Sequence, residues 1–105
     1  MHNSFSQEIR LFFSDVWKCW FCGKNTCDSL HHIVGRGAGD SICETSILNA
    51  APICNQNCHL INHGKMRTKE GSKELLNKTL EFVLSNGYVL KQIDYDFLEK
   101  YKDWY

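Results

Sequence analysis

Cys19-Trp20-Phe21-Cys22-Gly23, Ser29-Leu30-His31-His32-Ile33-Val34, Asn49, and Cys54-Asn55-Gln56-Asn57-Cys58-His59 with His63 decide how this chain is read. Two close cysteine pairs bracket a histidine pair, and two further histidines follow. Thiolates and imidazoles are the ligands that borderline divalent ions select, so a small chain that collects this many is organised by metals. Cys19-x-x-Cys22-Gly23 reads as a knuckle, two thiolates on a tight turn with a glycine easing the backbone behind the second. A second pair, Cys54 and Cys58, makes tetrahedral ligation of a structural Zn2+ by four sulfurs the economical expectation. The alternative is a set of reduced, buried thiols. Cys27 and Cys43 fit neither pair by spacing and read as free thiols, or as substitutes for Cys54 or Cys58.

Outward from this stretch, residues 29–34 are strand-like through their β-branched end, and Gly35-Arg36-Gly37-Ala38-Gly39-Asp40 breaks the strand. Residues 46–50 form a candidate second strand, which Pro52 closes. Residues 57–65 read as a short helix with His59 and His63 one turn apart on one face. Before the knuckle, Phe5, Ile9, Phe12 or Phe13, and Val16 recur at helical spacing, predicting an amphipathic helix over residues 4–17 capped by Ser4 or Ser6. The helix covers the core, and its two adjacent phenylalanines read as packing residues rather than a ligand platform. Beyond the histidines, Ser72 is a candidate cap for a helix through Ser85, with Leu76, Leu80 and Val83 as its stripe and Asn86-Gly87 as its stop. Asp94 then caps a last helical piece bearing Phe97, Leu98, Tyr101 and Trp104.

The 105 residues suit one domain that buries roughly two-thirds of its chain surface. A hydrophobic share of 43% and a charged share of 23% argue against disorder. No apolar run reaches the length of a membrane span, and the N-terminus lacks a basic region followed by an apolar one. The expectation is a cytoplasmic chain whose six cysteines serve as ligands rather than disulfides. The formal net charge is zero, so no global field draws the protein onto nucleic acid. Lys65, Arg67, Lys69, Lys73 and Lys78 nevertheless concentrate positive charge against Glu70 and Glu74, and Lys65 and Arg67 are candidate phosphate contacts.

The order His31-His32-Ile33, Asn49, Cys58-His59-x-x-x-His63 resembles the HNH endonucleases, whose ββα-metal fold cuts phosphodiester bonds. The interleaved cysteine pairs are similar to the zinc-bearing branch of that family. The resemblance runs from Cys19 to about Gly64, under half of the chain. It implies a ββα-metal core over about 19–66 with a four-cysteine zinc site; together with the N-terminal helix over about 4–17 and the C-terminal helical extension over about 72–103, which periodicity predicts and the resemblance does not cover, the expected fold class is α+β. The resemblance also assigns roles. His32 becomes the general base that takes a proton from water, work an imidazole can do because it titrates near neutrality. His31, His59 and His63 become ligands of a catalytic divalent ion that stabilises the departing 3′ oxygen. Asn49 braces the loop carrying the base, and Arg36 stands where many relatives keep an arginine near the scissile phosphate. Neighbouring strand residues face opposite sides, so His31 and His32 are expected to do different work.

Two departures from the family pattern bear on the ions. Three residues separate Cys54 from Cys58 where relatives usually have two. The first ligand position, often aspartate, is His31, which moves the preference from Mg2+ toward Mn2+, Ni2+ or Zn2+. The expected function is a metal-dependent endonuclease that nicks or cuts duplex or branched DNA, leaving 5′-phosphate and 3′-hydroxyl ends. Compact stand-alone nucleases of this kind resemble those of bacteriophages and mobile elements, acting in the cytoplasm of a bacterial host. Neutral charge leaves specificity to a homodimer or a protein partner. The competing expectation is a zinc-stabilised nucleic-acid-binding module without cleavage activity.

Overall fold

The computed structural model describes residues 5–34, 45–54, 64 and 68–105. Over these residues the protein is a small α+β fold, a two-stranded antiparallel sheet packed among helices. Strand β1 (Ser29–His32) pairs with β2 (Ala50–Ile53) in a register that sets His31 opposite Ala51 and His32 opposite Ala50. The second strand thus begins where the sequence pattern has it end. Residues Ile47–Asn49 form a 3-10 turn instead, because Ser46 caps them through its hydroxyl, which accepts from Leu48 N–H at 3.2 Å.

Pro52 lies inside β2 rather than closing it. Its carbonyl accepts from Trp20 N–H at 3.0 Å, away from β1, so the missing proline N–H falls on the side where the ladder needs no donor. The same bond ties the knuckle to the sheet. The knuckle is itself a small hairpin: Lys18 bridges Thr26, Cys19 N–H bonds Asn25 O at 2.9 Å, and Cys27 N–H bonds Trp17 O at 2.8 Å.

Helix α1 (Gln7–Phe12) is capped by Ser6 and buries Phe5, Ile9 and Phe13 on one face. It is shorter than the periodicity predicts. After Phe13 the backbone switches to tighter i→i−3 bonds, Ser14 N–H to Leu11 O at 3.1 Å and Val16 N–H to Phe13 O at 3.0 Å, and the carbonyls of Val16 and Trp17 accept from Cys27. Helix α2 (Lys69–Ser85) starts earlier than Ser72, because Thr68 supplies the cap by accepting from Gly71 N–H at 3.1 Å. Ser72 sits in the buried face with Leu75, Leu76, Thr79 and Val83. The helix stops at Asn86-Gly87 as its residues foretell. Gly87 adopts φ +80°, while Tyr88 N–H reaches Val83 O and Gly87 N–H reaches Leu84 O, the paired bonds of a left-handed helix end.

Helix α3 (Gln92–Lys100) follows, and Asp94 caps it from within its first turn by accepting from Lys91 N–H at 2.8 Å. One apolar cluster joins the elements. Phe5, Ile9 and Phe13 meet Ile33, Ile47, Leu48, Ile53, Leu76, Val83 and Phe97. Phe13, Trp20 and Phe82 form an aromatic corner with ring centroids 5.4 to 5.8 Å apart, joining α1, the knuckle and α2. Among the described residues, no helix is long and apolar enough to cross a membrane.

Candidate metal centre and flanking histidine strand

The knuckle turn delivers Cys19 and Cys22, and the end of β2 delivers Cys54. Their sulfurs all lie within 4.8 Å of one another. Cys22 Sγ and Cys54 Sγ are 3.7 Å apart. A Zn–S bond of about 2.3 Å in a tetrahedral site separates its sulfurs by about 3.8 Å, so this spacing is that of two ligands sharing one ion. The local chain also turns donors toward the sulfurs. Phe21 N–H points at Cys19 Sγ at 3.4 Å, and the Asn25 amide approaches Cys54 Sγ at 3.7 Å. Gly23 takes φ +68° as its N–H bonds Cys19 O at 3.0 Å, so the turn needs the residue that tolerates that backbone. The three-thiol cluster can hold a metal ion, and its donor chemistry suits zinc.

Cys27 stands apart from this cluster. Its thiol donates to Val16 O at 2.9 Å, and burial, followed by the nearby Cys19, Asp28 and Cys54 charges, pushes it above the ordinary range. A protonated thiol committed to a carbonyl is a poor ligand. Cys43 and Cys58 lie outside the described residues.

The histidine pair occupies the last two positions of β1. His31 is wholly buried and His32 half-buried, on opposite faces as strand geometry requires. The His32 ring stacks on Phe5, centroids 4.1 Å apart and planes 12° from parallel. Just beyond, Asn49 holds the chain as it leaves the strand. Its Oδ1 accepts from Val34 N–H at 2.7 Å, its Nδ2 donates to Val34 O at 3.0 Å, and its own carbonyl accepts from Ile33 N–H at 3.0 Å. Asn49, Ile33 and Val34 are all buried, so water does not compete for these bonds.

Asn49 is positioned in turn from the C-terminal half of the chain. Asn49 N–H bonds Ser46 O at 3.2 Å, and Ser46 Oγ donates to Asp94 Oδ1 at 2.8 Å. Thr79 Oγ1 donates to Ala50 O at 2.8 Å, pinning the next residue to α2. Sequence reading missed Asp94, Ser46 and Thr79 as supports. Asp94 read as a helix cap, and nothing local marks a serine or threonine whose partner lies dozens of residues away. Of the remaining predicted site residues, Arg36, His59, His63, Lys65 and Arg67 lie outside the described residues. No protein-family description, curated protein or solved structure matches this chain.

Proposed function

We propose that this protein is a metal-dependent DNA endonuclease that hydrolyses phosphodiester bonds at a ββα-metal site, nicking or cutting duplex or branched DNA. The observation that carries this reading is the two-way clamp of the Asn49 amide on Val34, immediately after the strand that bears His31 and His32. An unionisable side chain committed to holding one backbone position is what a brace for a neighbouring base requires. The thiol cluster supports the same reading, because it secures the entrance of β1 to the exit of β2. Cys58 would supply the fourth sulfur for a Zn2+ held with Cys19, Cys22 and Cys54.

His32 removes a proton from the attacking water, and the buried Asn49 clamp keeps its backbone from drifting. His31, His59 and His63 are the residues that would hold a divalent ion, Mn2+, Ni2+ or Mg2+, whose contribution is charge neutralisation at the leaving oxygen. Arg36, Lys65 and Arg67 bind phosphates and set the strand in line.

The test is incubation of purified protein with supercoiled plasmid and with a synthetic four-way junction across Mg2+, Mn2+ and Ni2+, beside His32→Ala. Wild type converts plasmid to nicked or linear product or resolves the junction, and His32→Ala loses at least a hundredfold in rate while keeping its fold and zinc. Cleavage by His32→Ala at the wild-type rate would remove His32 from the mechanism. Salt-sensitive DNA binding by wild type, with no scission under any metal, would instead favour the zinc-stabilised binding module.

A further inference from the structure

The His32 backbone is fixed by the sheet, through its pairing with Ala50 and the bond from Ile33 N–H to Asn49 O. The direction of the ring is a separate matter, since the second side-chain torsion of histidine is broad. Phe5 bears directly on it. It is 2% exposed and lies face to face with the imidazole at 4.1 Å. It is held there independently of His32. Ser6 caps α1 through its hydroxyl on Ile9 N–H, Arg10 N–H bonds Ser6 O, and Ile9 and Phe13 anchor the same face in the core.

The geometry points to Phe5 as a positioning residue for His32, which makes the segment leading into α1 part of the site. The inference rests on the reading of His32 as general base. The nitrogen lone pairs of an imidazole lie in its ring plane. A near-parallel neighbour therefore fixes that plane and excludes water from one face, while leaving the in-plane directions clear of itself. A base whose ring is already set loses less orientational freedom on reaching the transition state. The pattern of residues 4–17 assigns Phe5 to packing, and its burial agrees. What the pattern cannot show is that one of the surfaces it packs on is the base.

The experiment uses the full zinc-loaded chain and its variants Phe5→Leu and Phe5→Tyr, with supercoiled plasmid and Mn2+ as the cleavage probe. In parallel, proton NMR follows the His32 ring resonances, assigned by their disappearance in His32→Ala. Wild type is expected to show contacts between the Phe5 and His32 ring protons and an upfield ring-current displacement of the latter. Phe5→Leu is expected to lose the displacement and about tenfold in kcat with KM unchanged. Phe5→Tyr, which keeps the ring, restores most of both. Absence of ring-to-ring contacts in wild type overturns the inference without any variant having to fold. So does a Phe5→Leu protein whose kcat is unchanged although the resonances have moved. If wild type cuts no DNA at all, the nuclease reading fails. With no base to position, the inference falls with it, whereas unchanged kcat in Phe5→Leu beside an active wild type overturns the inference and leaves the nuclease reading intact.

Discussion

Asn49 commits both ends of its amide to Val34, and it does so with no solvent to replace either bond. Truncation would leave a buried N–H and a buried C=O without partners, at about 1–3 kcal/mol for each. Asn49→Ala is therefore expected to destabilise the protein by about 2–6 kcal/mol, read as a lower urea midpoint with an unchanged slope. Asn49→Asp is the sharper comparison. It keeps the acceptor for Val34 N–H but turns a carboxylate oxygen toward Val34 O, so it should fall at least as far as alanine at neutral pH. Equal stability of Asn49→Asp and wild type would mean that the donor half of the clamp does nothing. At this scale the sequence is informative about residue types and their order, since cysteine, histidine and asparagine each carry chemistry that few alternatives supply. It is silent on which neighbour each one holds. Nothing in the letters around Asn49 names Val34, and nothing around Phe5 names His32.

Between elements, the tightest polar junction is the Asp94 carboxylate, wholly buried at the start of α3. It accepts from Ser46 Oγ, Tyr88 Oη and Lys91 N–H, joining α3 to the turn before Asn49 and to the end of α2. All three partners donate in this arrangement, which both carboxylate oxygens satisfy as acceptors. Asp94→Asn is expected to cost about 1.5–3 kcal/mol for each charge-assisted bond it breaks. The tyrosines nearby add a pH signature. Burial, then the hydrogen bond to Asp94 and its charge, push Tyr88 well above the ordinary phenol range, and burial with the Asp94 charge does the same for Tyr105. Because the folded-state values are raised, the stabilisation is complete below about pH 10 and is lost as pH climbs toward the folded-state values. Denaturation followed from pH 8 to 12 should show stability falling above about pH 10 in wild type, with a shallower fall in Asp94→Asn. An identical slope in the two proteins would remove Asp94 from that coupling. Element boundaries were legible where a local signal decided them, as at Asn86-Gly87, and misread where a distant partner did. Thr68 displaced Ser72 as cap, Cys27 took the carbonyls of Val16 and Trp17 beyond α1, and Pro52 entered β2 because Trp20 needed its carbonyl.

Across the whole molecule, the thiol cluster closes the chain between residues 32 apart, from Cys22 in the knuckle to Cys54 at the end of β2. The knuckle is not an appendage. Trp20 packs on Phe13 and Phe82, Lys78 Nζ reaches Trp20 O at 3.3 Å, and Trp20 N–H reaches Pro52 O. Loss of the ion would leave several thiolates crowded within 4.8 Å, which must either take up protons or separate, and separation pulls Trp20 from the aromatic corner. Structural zinc contributes about 10 kcal/mol in small metallo-domains, comparable to the entire stability of a chain this size. Purified protein is therefore expected to carry one equivalent of zinc. Chelation should lower the thermal midpoint and redden the tryptophan emission, with recovery on adding Zn2+ but not Mg2+, whose preference is for oxygen ligands. Cys22→Ser should reproduce the chelated state without chelator, whereas Cys27→Ser, which alters only the thiol facing Val16 O, should keep its zinc. A Cys22→Ser protein with full zinc and an unshifted midpoint would show that the three sulfurs gather for packing alone. The sheet and the histidines would then have to be held in place by the apolar core without help from a metal.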